Sequence, residues 1–98
     1  MCGKKNIQSN VVEHEIYCAC IFNCRDVTWE ICDTNTTILE LRRFFNDKYN
    51  IRDCKIYFFC GKEYSVFDDE YLIDILKKKN VNALTLKIYT DDEYSIPK

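Results

Sequence analysis

Cysteine is the residue type that could bring chemistry to this chain of 98 residues, because a thiolate is both a nucleophile and a metal ligand. Of the seven cysteines, Cys18 and Cys20 are two apart and would share one face of a strand, with Cys24 following after a predicted turn. Structural zinc sites usually place Cys-x-x-Cys pairs in loops, and the sequence has no such pair. We therefore predict no metal site.

Catalysis by a cysteine also needs a nearby base, and His14 is the one histidine. Gly3 and Gly61 are the only glycines, so a glycine-rich phosphate loop is not possible. We predict no catalytic residue and no cofactor. An enzyme with a cysteine nucleophile is kept as a minor alternative, which the reactivity of the thiols would test.

Length and composition indicate one compact domain with a single core. The chain is 47% hydrophobic and 31% charged, with thirteen Phe and Tyr residues besides Trp29. Its net charge of -2 argues against a nucleic-acid partner, which usually requires a clustered basic surplus. The one dense basic run, Lys77 to Lys79, is interpreted as a solvated turn.

The longest apolar run, residues 16–22, is about a third of a membrane span. No apolar segment typical of a secretory signal follows the early lysines, Lys4 and Lys5. We therefore expect no membrane association and a cytoplasmic or nuclear location. Reduced thiols are expected there, and we interpret most of them as small core residues.

The first hairpin is predicted from two adjacent patterns. Residues 16–22 are apolar throughout, which suits a strand covered on both faces, and residues 23–26 supply a polar turn. Residues 27–31 then alternate strictly between apolar and other side chains. This alternation predicts three side chains on the core face and two towards water: Val27, Trp29 and Ile31 inward, Thr28 and Glu30 outward.

A helix is predicted to begin at Thr37, which forms a capping box with Glu40. Asn50 is suited to end it in a left-handed conformation. Apolar residues recur at intervals of three and four along it, and they form one stripe: Ile38, Leu41, Phe45 and Tyr49.

Three further strands and a short helix are predicted in the second half of the chain. Residues 55–60 and 64–66 form strands around Gly61, and residues 71–76 allow a helical turn or two. The last strand alternates regularly and directs three side chains inward: Leu84, Leu86 and Ile88.

A hairpin, a helix and then the remaining strands require the helix to cover one face of the sheet, because its apolar stripe must meet an apolar face. The predicted fold class is therefore α+β, a β-grasp with a mixed sheet of four to five strands and one main helix. Residues 1–13 are expected to be a flexible leader, residues 14–90 the domain and residues 91–98 an acidic tail.

Residues 15–89 resemble the ubiquitin superfamily in the order and spacing of several short motifs. The resemblance lies in the opening of the helix, its apolar positions, its end and the glycine after the third strand: Thr37, Ile38, Leu41, Phe45, Asp47, Lys48, Gly61 and Lys62. It implies a ubiquitin-like β-grasp that binds other proteins. Conjugation would need a diglycine, and the sequence has no Gly-Gly pair.

The local motifs are also similar to the splicing-associated family called homologous to ubiquitin, or ubiquitin-like protein five. Residues 32–38 with 41–43, and residues 64–67 followed by Asp69, carry this similarity. In that family an acidic residue directly before the capping threonine pairs with an arginine of a helical partner. Thr36 occupies that position here, and Asp33 is the nearest carboxylate before it. The loop before Gly61 is closer in length to that of ubiquitin itself.

The resemblance implies a binding surface on the sheet face opposite the helix. Thr85 and Lys87 are expected there on the last strand, with Tyr57 or Phe58 on the third, depending on a register that is uncertain by one residue. With Asp33 and Thr36, these residues form the predicted protein-binding site, which looks more polar than the surface of ubiquitin.

Two functions follow from this prediction. The first is a monomeric, non-covalent ubiquitin-like module that regulates pre-mRNA splicing and associates with spliceosomal proteins. The alternative is an adaptor domain of a ubiquitin-proteasome pathway protein, which would dock proteasome-associated receptors through its sheet face.

Overall fold

The computed structural model describes residues 15–94. Its elements, in chain order, are β1 (Glu15–Phe22), β2 (Asp26–Asp33), α1 (Ile38–Lys48), β3 (Lys55–Phe59), β4 (Glu63–Ser65), α2 (Leu72–Lys79) and β5 (Leu84–Tyr89). The five strands form one mixed sheet in the order β2-β1-β5-β3-β4, in which β1 and β5 are parallel and the other neighbours are antiparallel. With α1 packed on one face, this is the predicted α+β, β-grasp arrangement.

Helix α1 begins and ends as its sequence predicts. The Thr37 hydroxyl accepts from the Glu40 amide at 3.2 Å, and the Glu40 carboxylate accepts from the Thr37 amide at 3.0 Å. This reciprocal pair satisfies two amide groups that the first turn leaves free. Asn50 has φ +57°, the left-handed conformation expected after the helix.

The core lies between α1 and the inner face of the sheet. Phe22 packs edge-on against Phe45 and Tyr49, with ring centroids 5.3 and 4.9 Å apart. The three inward positions predicted for β5 are confirmed, since Leu84, Leu86 and Ile88 are all buried. Cys18, Cys20 and Cys54 are buried with them, and Cys32 packs against the same cluster.

Strand β2 faces the opposite way from the prediction. Val27, Trp29 and Ile31 are 55%, 70% and 62% exposed, and the inner face of this strand carries Thr28, Glu30 and Cys32 instead. Directly opposed residues of an antiparallel pair share a face, and Phe22 lies opposite Asp26. The turn therefore has three residues and not the four that were predicted. That difference of one residue moves every side chain of β2 to the other face.

The turn itself explains this spacing. Asn23 and Cys24 have φ +51° and +58°, as in a type I′ turn, and the Arg25 amide donates to the Phe22 carbonyl at 2.9 Å. The Asn23 side chain donates to the Thr90 carbonyl and accepts from the Thr90 amide, each at 3.0 Å. The turn is thereby anchored to the segment that follows β5.

Other predictions about the elements also need correction. The run 16–22 is covered on one face only, because Tyr17 is 50% exposed on the other. Helix α2 continues to Lys79, so Lys77 to Lys79 form its last turn and not a separate loop. The predicted leader, residues 1–13, and His14 lie outside the described residues.

The described part of the acidic tail packs against the domain. The Tyr94 ring lies 5.5 Å from that of Phe22, and its hydroxyl donates to Asp26 at 2.6 Å. Asp92 accepts from the amide of Arg52 at 2.9 Å. Residues 91–94 therefore make specific contacts with the domain.

Candidate functional site

The outer face of the first hairpin carries an uncovered group of apolar side chains. We call it the hairpin patch, and its members lie in three directly opposed pairs: Tyr17 with Ile31, Ala19 with Trp29, and Ile21 with Val27. Directly opposed side chains have Cβ atoms about 4.5–5.5 Å apart, so each pair is in contact across the strands. The patch is therefore continuous over β1 and β2.

Most of the large side chains of this patch are open to solvent. Four of its large side chains, Tyr17, Val27, Trp29 and Ile31, are each at least half exposed. Scattered apolar residues on a surface are normal, but a contiguous patch of several hundred Å² usually marks an interaction site. Trp29 has the largest and most exposed side chain of the group and lies between Val27 and Ile31 along β2.

A buried acidic residue holds β2 in the register that exposes the patch. Glu30 is 8% exposed, on the inner face between the strand and α1. Lys48 donates to both of its carboxylate oxygens, at 3.0 and 3.2 Å, and the Tyr49 hydroxyl donates to one of them at 2.7 Å. The Glu30 hydrogen bond raises the pKa of Lys48. A buried carboxylate requires such partners, and Glu30 has them. The inner face of β2 can therefore hold Glu30, in the orientation opposite to the one that the sequence predicts.

The other half of the outer face contains three of the six residues that were predicted for the site. Tyr57, Thr85 and Lys87 all lie there, each partly buried, and Lys87 is paired with Tyr57 in the sheet. The Lys87 ammonium is 4.4 Å from the centroid of the Phe59 ring and 3.7 Å from a Glu63 carboxylate oxygen. This half is therefore engaged in contacts within the domain.

Phe58 does not belong to this face. It is 2% exposed and part of the core, whereas Tyr57 is on the outer side. The pairing of Phe58 with the buried Leu86 of β5 sets this register. Of the two aromatic residues considered on β3, Tyr57 is the one that a partner could contact.

Asp33 and Thr36 are placed differently from one another. Asp33 is exposed at the end of β2, on the same outer side as Ile31, so it borders the hairpin patch. Thr36 lies in the connection to α1, where its amide donates to the Asp33 carbonyl at 3.0 Å and its carbonyl accepts from the Leu72 amide at 2.9 Å. Its backbone links the first hairpin to α2.

The members of the hairpin patch were missed as site residues, although their pattern was visible in the sequence. The alternation of β2 identifies one apolar face but does not say whether that face meets the core or the solvent. Whether the turn has an odd or an even number of residues, together with the pairing with β1, decides which way that face points.

The thiols of the described residues differ in exposure: Cys18, Cys20 and Cys54 are buried, whereas Cys24 and Cys60 are exposed. Burial raises the pKa of Cys54 to about 11 and also raises that of Cys20, and both effects disfavour a thiolate. The sulfurs of Cys18 and Cys32 are 4.0 Å apart, and the hydrogen bond from Cys18 lowers the pKa of Cys32. Within residues 15–94, no three His, Cys, Asp or Glu side chains cluster in a way that could hold a metal ion.

Neither helix of the described residues has the length and apolar character needed to cross a bilayer.

No protein-family model matches this chain, and no curated protein matches it either.

Proposed function

We propose that this chain is a protein-interaction module that binds its partner non-covalently through the hairpin patch. The observation that carries the proposal is the contiguous exposure of Tyr17, Val27, Trp29 and Ile31 on one side of a well-paired hairpin. Burying such a surface against a partner is favourable by roughly 25 cal/mol per Å² of apolar area.

The composition of the patch supports this use. Tryptophan and tyrosine are the residues most enriched among those that contribute most to binding energy, and such residues lie near the centre of an interface with less critical contacts around them. Trp29 has that position, with aliphatic neighbours in the patch and the exposed carboxylate of Asp33 at one end. A partner of ordinary interface size would cover about 800 Å² of this chain, and we expect its contacts to extend beyond the apolar side chains to Asp33.

Two classes of partner follow from the resemblance to ubiquitin-like proteins. Spliceosomal proteins are the first, because the motifs around residues 32–38 are similar to those of the splicing-associated family. The exposed apolar patch favours the alternative, an adaptor that docks proteasome-associated receptors, because ubiquitin-like domains commonly present an apolar surface on the sheet face opposite the helix. Both uses are non-covalent.

The test is affinity capture of the tagged protein from its own cells, with three versions compared by mass spectrometry. These are the unchanged chain, Trp29→Ser and Phe67→Ser. Phe67 is a matched control, since it is 69% exposed against 70% for Trp29 but lies between β4 and α2, away from the patch. Both substitutions remove an exposed aromatic side chain, so we expect stability to change by no more than about 0.5 kcal/mol in either variant.

We expect Trp29→Ser to lose the captured partner and Phe67→Ser to retain it. Equal capture by both variants would contradict the assignment of the patch. A parallel denaturing wash distinguishes bound proteins from covalent adducts, and adducts that survive it would contradict the non-covalent mode. Spliceosomal proteins among the captured partners would favour the first use, and proteasome subunits the second.

A further inference from the structure

The hairpin patch ends at a pair of opposed carboxylates. Glu15, the first residue of β1, lies directly opposite Asp33, the last residue of β2, and both are exposed. They continue the alternation of the patch, two residues from Tyr17 and Ile31, so both lie on its outer face. Directly opposed side chains have Cβ atoms about 4.5–5.5 Å apart. Two negative charges therefore lie side by side here, and we call this the acidic end of the patch.

The acidic end has a charge that the described part of the chain does not balance. Among residues 15–94, neither Glu15 nor Asp33 forms an ion pair. One oxygen of Asp33 accepts from the Asn35 amide at 3.3 Å and from the Thr34 hydroxyl at 3.4 Å, and both donors are neutral. Like charges directly opposed across two strands are destabilising. A cation placed between them would remove this repulsion.

The other end of the patch, near the turn, differs in charge. Ile21 lies beside Lys87 of β5, whose ammonium is 3.7 Å from a carboxylate oxygen of Glu63. Arg25, in the turn, is 3.6 Å from a carboxylate oxygen of Asp26. The cations near this end are therefore paired within the chain. A partner that covers the whole patch has a place for a positive charge at the acidic end.

An arginine suits the acidic end better than a lysine. Its planar guanidinium has five N–H donors and can donate to two carboxylates at once, and it is less strongly hydrated than an ammonium. Tyr17 is next to Glu15 on the same face and is half exposed, so its ring offers a surface on which a guanidinium can stack. Apolar side chains on both sides of such a contact exclude water and strengthen it.

We propose that the partner of the hairpin patch carries an arginine that binds between Glu15 and Asp33, next to apolar side chains that cover Ile31 and Trp29. This inference rests on the proposed function, because it concerns the same surface. It gives the partner a chemistry and an orientation. Ile31 and Trp29 lie about 7 and about 13 Å along β2 from Asp33, so the partner's apolar residues have the same distances from its arginine.

The test uses a random peptide library displayed on phage, which needs no knowledge of the natural partner. Peptides are selected on the unchanged chain and, separately, on the double variant Glu15→Lys/Asp33→Lys. This variant replaces one pair of like charges by another, so the repulsion within the folded chain is kept and only its sign changes. Both positions are exposed, so we expect the variant to fold as the unchanged chain does.

We expect peptides selected on the unchanged chain to carry an arginine next to apolar residues, and those selected on the double variant to carry a carboxylate in its place. In calorimetric titrations the first group should bind the double variant at least about tenfold more weakly than the unchanged chain. Replacing their arginine by citrulline, a neutral side chain of similar shape, should weaken binding to the unchanged chain by a similar factor. The same replacement should not weaken binding to the double variant.

Asp47→Lys/Asp69→Lys is the matched control. It changes the net charge by the same amount at two exposed carboxylates outside the patch, one on α1 and one between β4 and α2. This variant should bind the selected peptides as the unchanged chain does. A loss of affinity as large as that of Glu15→Lys/Asp33→Lys would show that the peptides respond to net charge and not to the acidic end, and would overturn the proposal.

Trp29→Ser separates this inference from the function on which it rests. Selected peptides that require Trp29 but carry no arginine, or that bind the unchanged chain and Glu15→Lys/Asp33→Lys equally, would overturn the arginine and leave the patch as the binding surface. Peptides that bind Trp29→Ser as tightly as the unchanged chain would contradict the patch itself, and the inference with it. A library from which no peptide is enriched would have the same meaning.

Discussion

Phe22 and Asp26 lie directly opposite one another across the first hairpin, with Asn23, Cys24 and Arg25 between them. Because opposed residues share a face, this single pairing places Asp26, Thr28, Glu30 and Cys32 on the inner side and leaves Val27, Trp29 and Ile31 outside. The inner carboxylate is satisfied by Lys48 and Tyr49, so the arrangement has no unpaired buried charge at this position.

The fluorescence of Trp29 reports the orientation of β2 directly, because it is the one tryptophan of the chain and is 70% exposed. At low micromolar concentration we expect emission typical of an indole in water, and quenching by iodide in the native state at least half as efficient as in the unfolded state. A blue-shifted emission that iodide does not quench would place Trp29 in the core. Trp29 would then have the orientation that alternation alone predicted.

Asn23 should be sensitive to substitution for two separable reasons. Its φ is +51°, and its side chain makes two hydrogen bonds to the Thr90 backbone. Asn23→Gly keeps the conformation and loses the hydrogen bonds, so we expect the free energy of unfolding to fall by about 1–2 kcal/mol. Asn23→Ala loses the same hydrogen bonds, and alanine tolerates the left-handed region less well than asparagine or glycine, so this variant should lose about 2–3 kcal/mol.

Urea unfolding of the two Asn23 variants and the unchanged chain measures both costs. An alanine variant as stable as the glycine variant would contradict the positive φ. A glycine variant as stable as the unchanged chain would contradict the contacts with Thr90.

Lys48 should stabilise the fold through Glu30. Lys48→Met keeps most of the aliphatic stem and leaves the buried carboxylate with Tyr49 as its remaining partner, so we expect a loss of about 1–2 kcal/mol. In Glu30→Gln the same removal of Lys48 should matter less, because a neutral amide does not require the ammonium. A double-mutant cycle with Lys48→Met and Glu30→Gln measures this coupling, and additive effects would contradict it.

The Glu30 contact also has a pH dependence with a definite sign. The hydrogen bond raises the pKa of Lys48 above its ordinary 10.5. Its contribution is therefore fully present below that pH and is lost as the pH rises through the higher value of the folded state. The difference in stability between the unchanged chain and Lys48→Met should accordingly shrink only at strongly alkaline pH.

Asp92 should stabilise the fold in the opposite pH range. The Arg52 side chain, with the backbone amides of Arg52 and Asp53, holds the pKa of this carboxyl below its usual 3.8. Its contribution is present above the pKa of the unfolded state and is lost as the pH falls through the lower folded value. We expect Asp92→Asn to lower the thermal midpoint at pH 7, and the gap from the unchanged chain to close as the pH falls through the lowered pKa of the folded state.

Asp91→Asn is the matched control for this prediction, because Asp91 is an exposed neighbour in the same segment. It should leave the thermal midpoint unchanged across the same pH range. A gap between the unchanged chain and Asp92→Asn that persists in acid would show that the substitution acts through something other than the carboxylate charge.

The features that depend on neighbouring residues could be predicted from the amino-acid sequence. The capping box of Thr37 and Glu40, the left-handed Asn50 and the stripe of α1 were all predicted, because a helix is defined by contacts three and four residues apart. The inward side chains of β5 were predicted because Thr85 and Lys87 alternate with purely aliphatic residues. The order of the elements then left one way for the helix to cover the sheet.

The tertiary structure decided which side of each remaining strand meets the core. β1 is apolar on both faces, and β2 carries its apolar residues on one face and a partnered glutamate on the other, so composition allowed either orientation. The same uncertainty of one residue separated Tyr57 from Phe58 on β3. Strand side chains have a period of two, so a single residue in a turn or a pairing reverses a whole strand. Turn lengths, and contacts with distant residues such as Lys48 and Thr90, decide which face of a strand points inward. The exposure of Trp29 is a consequence.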